Sequence, residues 1–163
     1  MSVDGLSDEQ QLRYSRHLLL DEWDDAVQAR LSSAHALVVG AGGLGSPALL
    51  YLAAAGVGRI TVIDPDEVEL SNLQRQVLHG TDTIGQAKVQ SARQGLARLN
   101  PEVQVQAVAQ AADADWLAAQ VPDCQVVLDC TDRFETRHAV NAAAMRAGVP
   151  LVSASAVRWD GQL

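Results

Sequence analysis

The sequence predicts an α/β domain, Rossmann-like and doubly wound. Its mainly parallel sheet has the order 3-2-1-4-5 and follows an N-terminal helical segment. Three observations lead there. Short apolar runs alternate with helical stretches, the βαβα pattern of a sheet covered on both faces. The first run, Leu37-Val38-Val39, feeds a glycine-rich turn, Gly40-Ala41-Gly42-Gly43-Leu44-Gly45. The second ends in a carboxylate, Asp64, 19 residues past Gly45, as in the dinucleotide-binding fingerprint.

The elements follow in order. Ser7-Asp8-Glu9-Gln10 has the form of a capping box and predicts a helix carrying Leu12, Arg13, Tyr14, Arg16, His17 and Leu18-Leu19-Leu20. A second helical stretch runs over Trp23–Leu31. Strand Ala36–Val39 is followed by helix Leu44–Ala55, and strand Ile60–Ile63 by a polar loop and a helix from about Gln86 to Leu99. Asn100-Pro101 stops that helix. Val103, Val105 and Ala107 alternate with glutamines, giving a third strand with one polar face. Asp113–Gln120 is a short helix. Val126-Val127-Leu128-Asp129-Cys130 is an apolar, buried strand. Arg133–Ala147 is a helix closed by Gly148, and Leu151-Val152-Ser153 is the fifth strand. No repeat or linker divides the chain.

Composition narrows the function. At 163 residues and 48 % hydrophobic content, the chain fits one domain able to bury a core. A formal charge of −8 with no basic tail argues against a nucleic-acid or anionic membrane surface. Cys124 and Cys130 are too few for a disulfide framework. No basic and apolar leader stands at the N-terminus, and no apolar run approaches a membrane span. A cytoplasmic location is expected. Lys88 is the lone lysine among twelve basic residues, which draws attention to it.

The glycine turn alone suits a nicotinamide enzyme and an adenylating enzyme equally. Gly40 permits the tight turn, Gly42 lets backbone approach a phosphate, and Gly45 permits close helix packing. Amides at the helix start hold anionic oxygens, and Asp64 can accept from both ribose hydroxyls. The stretch beyond Asp64 favours the second reading. Asn72 offers an amide donor, Arg75 a planar fork for phosphate oxygens, and Lys88 a point charge near the next helix start. Asp66, Glu67 and Glu69 read as solvated charges without a role. Asp129-Cys130-Thr131-Asp132 ends the fourth strand beside the switch point of the sheet, where ligands bind in such folds. Asp132 can there hold a hydrated Mg²⁺ bridging phosphates, while Asp129 reads as structural. Cys130 reads as a small buried apolar residue, Cys124 as a loop residue without metal-ligand spacing. His17, His35, His79 and His138 form no metal or triad spacing.

Taken in order, Arg13-Tyr14-Ser15-Arg16, the glycine turn, Asp64-Pro65-Asp66, Ser71-Asn72-Leu73-Gln74-Arg75-Gln76, Gly85-Gln86-Ala87-Lys88 and Asp129-Cys130-Thr131-Asp132 resemble the ThiF/MoeB/HesA family. These are the bacterial relatives of ubiquitin-activating enzymes, and the likeness is greatest to the MoeB-type molybdopterin-synthase adenylyltransferases. The resemblance implies a ThiF-type nucleotide-binding domain over 1–163, with N-terminal helices at 7–32. It implies ATP-dependent adenylation of the C-terminal glycine carboxylate of a ubiquitin-like sulfur carrier with a Gly-Gly tail, serving molybdopterin or thiamine synthesis. By similarity, Gly40, Gly42, Gly43 and Gly45 form the nucleotide turn and Asp64 holds the ribose. Asn72, Arg75 and Lys88 hold phosphates, and Asp132 holds Mg²⁺. Arg16 resembles an arginine that reaches the partner subunit's site, which implies a homodimer.

One departure is large. Relatives of this type continue for about another hundred residues or more, with two Cys-x-x-Cys pairs for a structural zinc. Those ligands are absent here, and the sheet is expected to be incomplete at the C-terminus, with an uncovered edge prone to self-association. Two alternatives stay open: a NAD-binding oxidoreductase domain, and a non-catalytic nucleotide-binding or scaffold subunit.

Overall fold

The computed structural model describes residues 5–163. Five parallel strands form the sheet: β1 (His35–Val39), β2 (Arg59–Ile63), β3 (Gln104–Val108), β4 (Val126–Asp129) and β5 (Leu151–Ser153). Their order is β3-β2-β1-β4-β5, as the alternation predicts. Central β1 is buried throughout, because helices cover both of its faces. Side chains alternate across a strand, so Ala36 and Val38 face one layer and Leu37 and Val39 the other. The first layer packs on α3 (Gly45–Ala55) and α4 (Lys88–Leu99) through Leu49, Ala53, Val89 and Leu96. The second packs on α5 (Ala114–Gln120) and α6 (Phe134–Ala147) through Leu117, Val140 and Ala143. Left-handed glycines close two of these helices, Gly56 at φ 90° and Gly148 at φ 66°.

The N-terminal segment departs from expectation. The capping box is present: the Gln10 backbone N–H donates to Ser7 Oγ at 3.2 Å and the Ser7 N–H to Gln10 Oε1 at 3.0 Å. Yet α1 covers only Asp8–Arg13, and the chain then breaks into turns. Tertiary anchoring overrides helix propensity here. Tyr14 is buried, accepts a hydrogen bond from Asn100 Nδ2 at 2.9 Å and stacks on His17. His17 Nδ1 lies 3.1 Å from Oε1 of the fully buried Gln28. Leu12, Leu19 and Leu20 stay exposed and form no core stripe. The next helix, α2 (Asp25–Ser33), begins two residues later than expected because Asp24 caps it, accepting from the Val27 N–H at 2.8 Å.

Other boundaries shift by a residue or two. The strand expected to run to Cys130 ends at Asp129 and is only half-buried at Val126 and Leu128. Beyond the edge strand β5, the residues from 155 form a hairpin of β6 (Ser155–Val157) and β7 (Asp160–Gln162), a small antiparallel sheet of its own. Arg158 takes a positive φ of 57° in its turn.

Candidate active site

The site lies beyond the C-terminal ends of β1, β2 and β4, where the strand order reverses. The glycine turn leaves β1 through Gly40, at φ 100°. A Cβ there would sit 2.8 Å from the Cys130 carbonyl oxygen, so only glycine lets the turn pass beside the β4 exit. A Cβ on Gly45 would run into the Gly40 carbonyl oxygen. The need for glycine at 45 thus arises within the turn itself rather than against the sheet. Gly42 differs, because its nearest neighbour to such a Cβ would be Gln76 Nε2 at 3.7 Å. That is ordinary contact distance, so no protein neighbour demands glycine at 42. Among the described residues, the backbone N–H groups of Gly42, Gly43 and Leu44 donate to no protein acceptor. They lead into α3, so three free donors stand in succession at a helix N-terminus, an arrangement suited to an anion.

Asp64 secures this turn. It is 6 % exposed, its Oδ2 accepts from the Ala41 N–H at 2.8 Å, and its Oδ1 accepts from the Asp66 N–H at 2.8 Å. Each carboxylate oxygen retains a second acceptor direction, so ribose hydroxyls remain within its capacity.

The loop after β2 folds over the turn. The Arg75 side chain passes 3.5 Å from the place a Gly43 Cβ would occupy. Arg75 Nη1 donates only to the Ser71 carbonyl at 3.4 Å and joins no ion pair among the described residues. Its exposed fork is therefore available to an anion. Lys88, the first residue of α4, is 5 % exposed, which overturns any view of it as a solvated helix residue. Its Nζ donates to Asp66 Oδ2 at 2.8 Å, and its backbone N–H donates to the Asp66 carbonyl.

That contact corrects the reading of the acidic residues. Asp66 holds Lys88, and Glu69 Oε2 accepts from Asn72 Nδ2 at 3.2 Å and from Ser71 Oγ at 3.0 Å. Asn72 Oδ1 in turn accepts from Gln76 Nε2 at 2.8 Å. A carboxylate can only accept, so it fixes the polarity of this amide chain. The Asn72 donor expected for phosphate is thus held by Glu69. Gln76 Oε1, at the far end, is buried without a partner.

Asp129 and Asp132 separate as expected. Asp129 is 1 % exposed and pairs with Arg137 Nε at 3.1 Å. It also accepts from Ser153 Oγ at 2.7 Å and from the Thr131 N–H. Arg137 Nη2 donates to the Thr131 and Ala154 carbonyls, tying the loop after β4 to the end of β5. Asp132 is exposed in that loop, two residues beyond the Cys130 carbonyl at Gly40. Its carboxylate joins no ion pair or hydrogen bond among the described residues. No group of three or more His, Cys, Asp or Glu able to hold a metal exists among the described residues. A lone free carboxylate suits Mg²⁺, which binds through one or two carboxylates, waters and substrate phosphates. Burial pushes the Cys130 thiol up to about 11, so it is a thiol and no nucleophile at neutral pH. The Cys124 thiol, also raised by burial to about 11, packs 3.5 Å from His35 Nδ1.

Arg16 is not brought to this site. Its neighbours Tyr14 and His17 pack on Asn100 and Gln28, near Gly56, at the N-terminal ends of the strands. The glycine turn lies at the opposite, C-terminal ends of the strands. Sequence reasoning also passed over two residues. One is Arg137, a charge on an otherwise ordinary helix. The other is His79, whose signal would have been a histidine four residues past Arg75, an unusual choice for an exposed loop.

Three comparisons bear on this arrangement. The molybdopterin-synthase adenylyltransferase of Salmonella typhimurium is 47 % identical over 158 residues, covering 97 % of this chain and 64 % of that protein. The sulfur carrier protein ThiS adenylyltransferase of Escherichia coli is 46 % identical, covering 97 % of this chain and 63 % of its own length. The chain thus spans just under two thirds of these relatives. In structure, E. coli tRNA N6-threonylcarbamoyladenosine dehydratase in complex with ATP superposes with a TM-score of 0.83 at 32 % identity, over 90 % of this chain and 60 % of that one. The ThiF family matches residues 14–163, and to that family this chain belongs.

Proposed function

We propose that this chain supplies the nucleotide-binding part of an adenylyltransferase that activates the C-terminal glycine carboxylate of a ubiquitin-like sulfur carrier with ATP. The observation that carries the reading is the convergence of the free N–H groups of Gly42–Leu44, the unpaired Arg75 fork and the buried Lys88 on one end of the sheet. Relatives named as molybdopterin-synthase and ThiS adenylyltransferases support the choice of carrier. A carboxylate oxygen of the carrier attacks the α-phosphorus of ATP, and the bond to the β-phosphate oxygen breaks. The products are the carrier's acyl adenylate and pyrophosphate. The carboxylate is already ionised at pH 7, so no general base is required. The difficulty is one anion attacking another. Fixed donors that neutralise the phosphates and hold them in line lower that barrier. Asp64 takes the ribose, the glycine turn and Arg75 the phosphates, and Lys88 moves its free N–H groups onto the same oxygens. Asp132 would hold Mg²⁺, which would supply further charge neutralisation.

The oxidoreductase alternative is not favoured. Arg75 and Lys88 would have no task in hydride transfer, and a solved neighbour of the same fold holds ATP. Calorimetric titration tests the reading directly: ATP·Mg²⁺ is expected to bind and NADH not to bind. A carrier protein ending in Gly-Gly should then support pyrophosphate exchange. Binding of NADH in preference to ATP would sink the proposal, and ATP binding without exchange would leave a scaffold role.

Two further outcomes follow from this reading. Asp132→Asn is expected to flatten the Mg²⁺ dependence of ATP affinity while leaving the melting temperature unchanged, since its side chain is exposed and unpaired. Equal ATP affinity with and without Mg²⁺ in the parent chain would remove the metal role from Asp132. Arg16 should act across a homodimer, because its neighbours Tyr14 and His17 anchor it near the N-terminal ends of the strands, away from the glycine turn. Mixing inactive Arg16→Ala with inactive Asp132→Asn should restore part of the activity, each mixed dimer holding one intact site. A verified mixed dimer that stays inactive would assign Arg16 to another task.

A further inference from the structure

We infer that His79 is a positioning residue that aims the glycine turn at the nucleotide phosphates, an inference that rests on the nucleotide reading of the site. His79 is buried, and both ring nitrogens are engaged. Nε2 lies 2.9 Å from the Ala41 carbonyl oxygen, and Nδ1 lies 2.9 Å from Ser91 Oγ on α4. Ser91 stands three residues past Lys88 on the same helix. His79 therefore joins three elements that meet at the site: the glycine turn, the loop carrying Arg75 and the helix carrying Lys88.

The tautomer follows from the partners. A carbonyl oxygen can only accept, so Nε2 carries the proton that goes to Ala41. In the neutral ring Nδ1 is then an acceptor facing Ser91 Oγ, and the single Ser91 hydroxyl proton is shared between it and Thr83 Oγ1, 3.0 Å away. The consequence for the turn comes from the peptide plane. A trans peptide points its C=O and its N–H in opposite directions. The Ala41 carbonyl is drawn inward by His79 and by the Ser46 hydroxyl, which donates to it at 3.2 Å. The N–H of the same peptide belongs to Gly42 and must point the other way, out of the core. That N–H is one of the three without a protein acceptor. On its other side Ala41 is pinned by Asp64, which accepts its N–H. Two adjacent peptides are thus clamped from inside so that the next amide faces the ligand. Without Nε2–H the Ala41 carbonyl keeps only the longer Ser46 bond, and the amide array loses part of its preorganisation.

The test compares two ligands of the parent, His79→Phe and His79→Gln. Mg²⁺·ATP reads the phosphate subsite; adenosine reads the rest. Phenylalanine fills the ring's space without a donor, and glutamine keeps a donor for the Ala41 carbonyl. In calorimetry His79→Phe is expected to lose about tenfold or more in ATP affinity, with adenosine affinity within twofold of the parent. His79→Gln should recover part of the loss. Ser91→Ala, which removes the Nδ1 partner together with the bond to Thr83 Oγ1, should show a smaller ATP-selective loss, and it carries the test should His79→Phe not fold. Equal losses for ATP and adenosine, or no loss in the folded variants, would overturn the inference. A parent chain that binds neither ligand would instead overturn the nucleotide reading itself.

Discussion

Replacing Lys88 by methionine is expected to lower the rate of carboxylate adenylation by a factor of about 10²–10³, the usual loss when one preorganised donor to a charged transition state is removed. Methionine is the better probe than alanine because the lysine stem is buried: at 5 % exposure, truncation would also open a gap. The fold should tolerate the change. Lys88 pairs with Asp66, whose side chain is 64 % exposed, so removing the ammonium leaves a carboxylate that water can solvate rather than an orphaned buried charge. Activity and stability should therefore part company. Pyrophosphate exchange would collapse while thermal unfolding moves by a few degrees at most. Lys88→Arg should not rescue the rate, since a bulkier planar guanidinium cannot take the place of a compact ammonium on a buried stem. Full activity in Lys88→Met would show that Asp66 keeps the lysine for itself and that the phosphates are held by Arg75 and the backbone alone.

Much of this was legible in the sequence, for specific reasons. Apolar runs buried on both faces announce parallel strands, and β1 to β5 stand in the expected order. Gly40 and Gly45 are readable because steric necessity leaves no other residue at those points. Lys88 and Arg75 stand out as cations beyond a nucleotide-type strand. What stayed hidden depends on partners distant in sequence. The helix expected through Leu20 stops at Arg13 because Tyr14 finds Asn100, 86 residues away, and no local pattern encodes that meeting. Asp66 and Glu69 looked like surface charges because a carboxylate's sequence neighbours do not reveal whether a buried ammonium or an amide will reach it. His79 was passed over for the same reason: its task is set by Ala41 and Ser91, 38 residues before it and 12 after.

Arg137→Ala is expected to be the most destabilising of these substitutions, costing about 3–5 kcal/mol in a chain whose whole stability is on the order of 5–15 kcal/mol. Asp129 is 1 % exposed and cannot reach water. Without the guanidinium it keeps only the Ser153 hydroxyl and the Thr131 N–H, too little to hold a buried charge. The carbonyls of Thr131 and Ala154 lose their donor in the same stroke. The reverse substitution should be milder. Asp129→Asn leaves Arg137, whose side chain is 27 % exposed and can turn its head toward solvent. This asymmetry separates a buried-charge effect from simple loss of one contact, which would make the two variants equal. Arg137→Lys should recover only part of the loss, because an ammonium cannot span the carboxylate and both carbonyls as the fork does. Denaturant unfolding of the three variants measures all of this. The loop between β4 and α6 carries Asp132 and is tied down by Arg137, so the alanine variant should also lose Mg²⁺-dependent ATP binding under conditions where it is still folded. Arg137→Ala as stable as Asp129→Asn would mean that the carboxylate is not held as a buried charge, and that the ion pair contributes no more than a surface one.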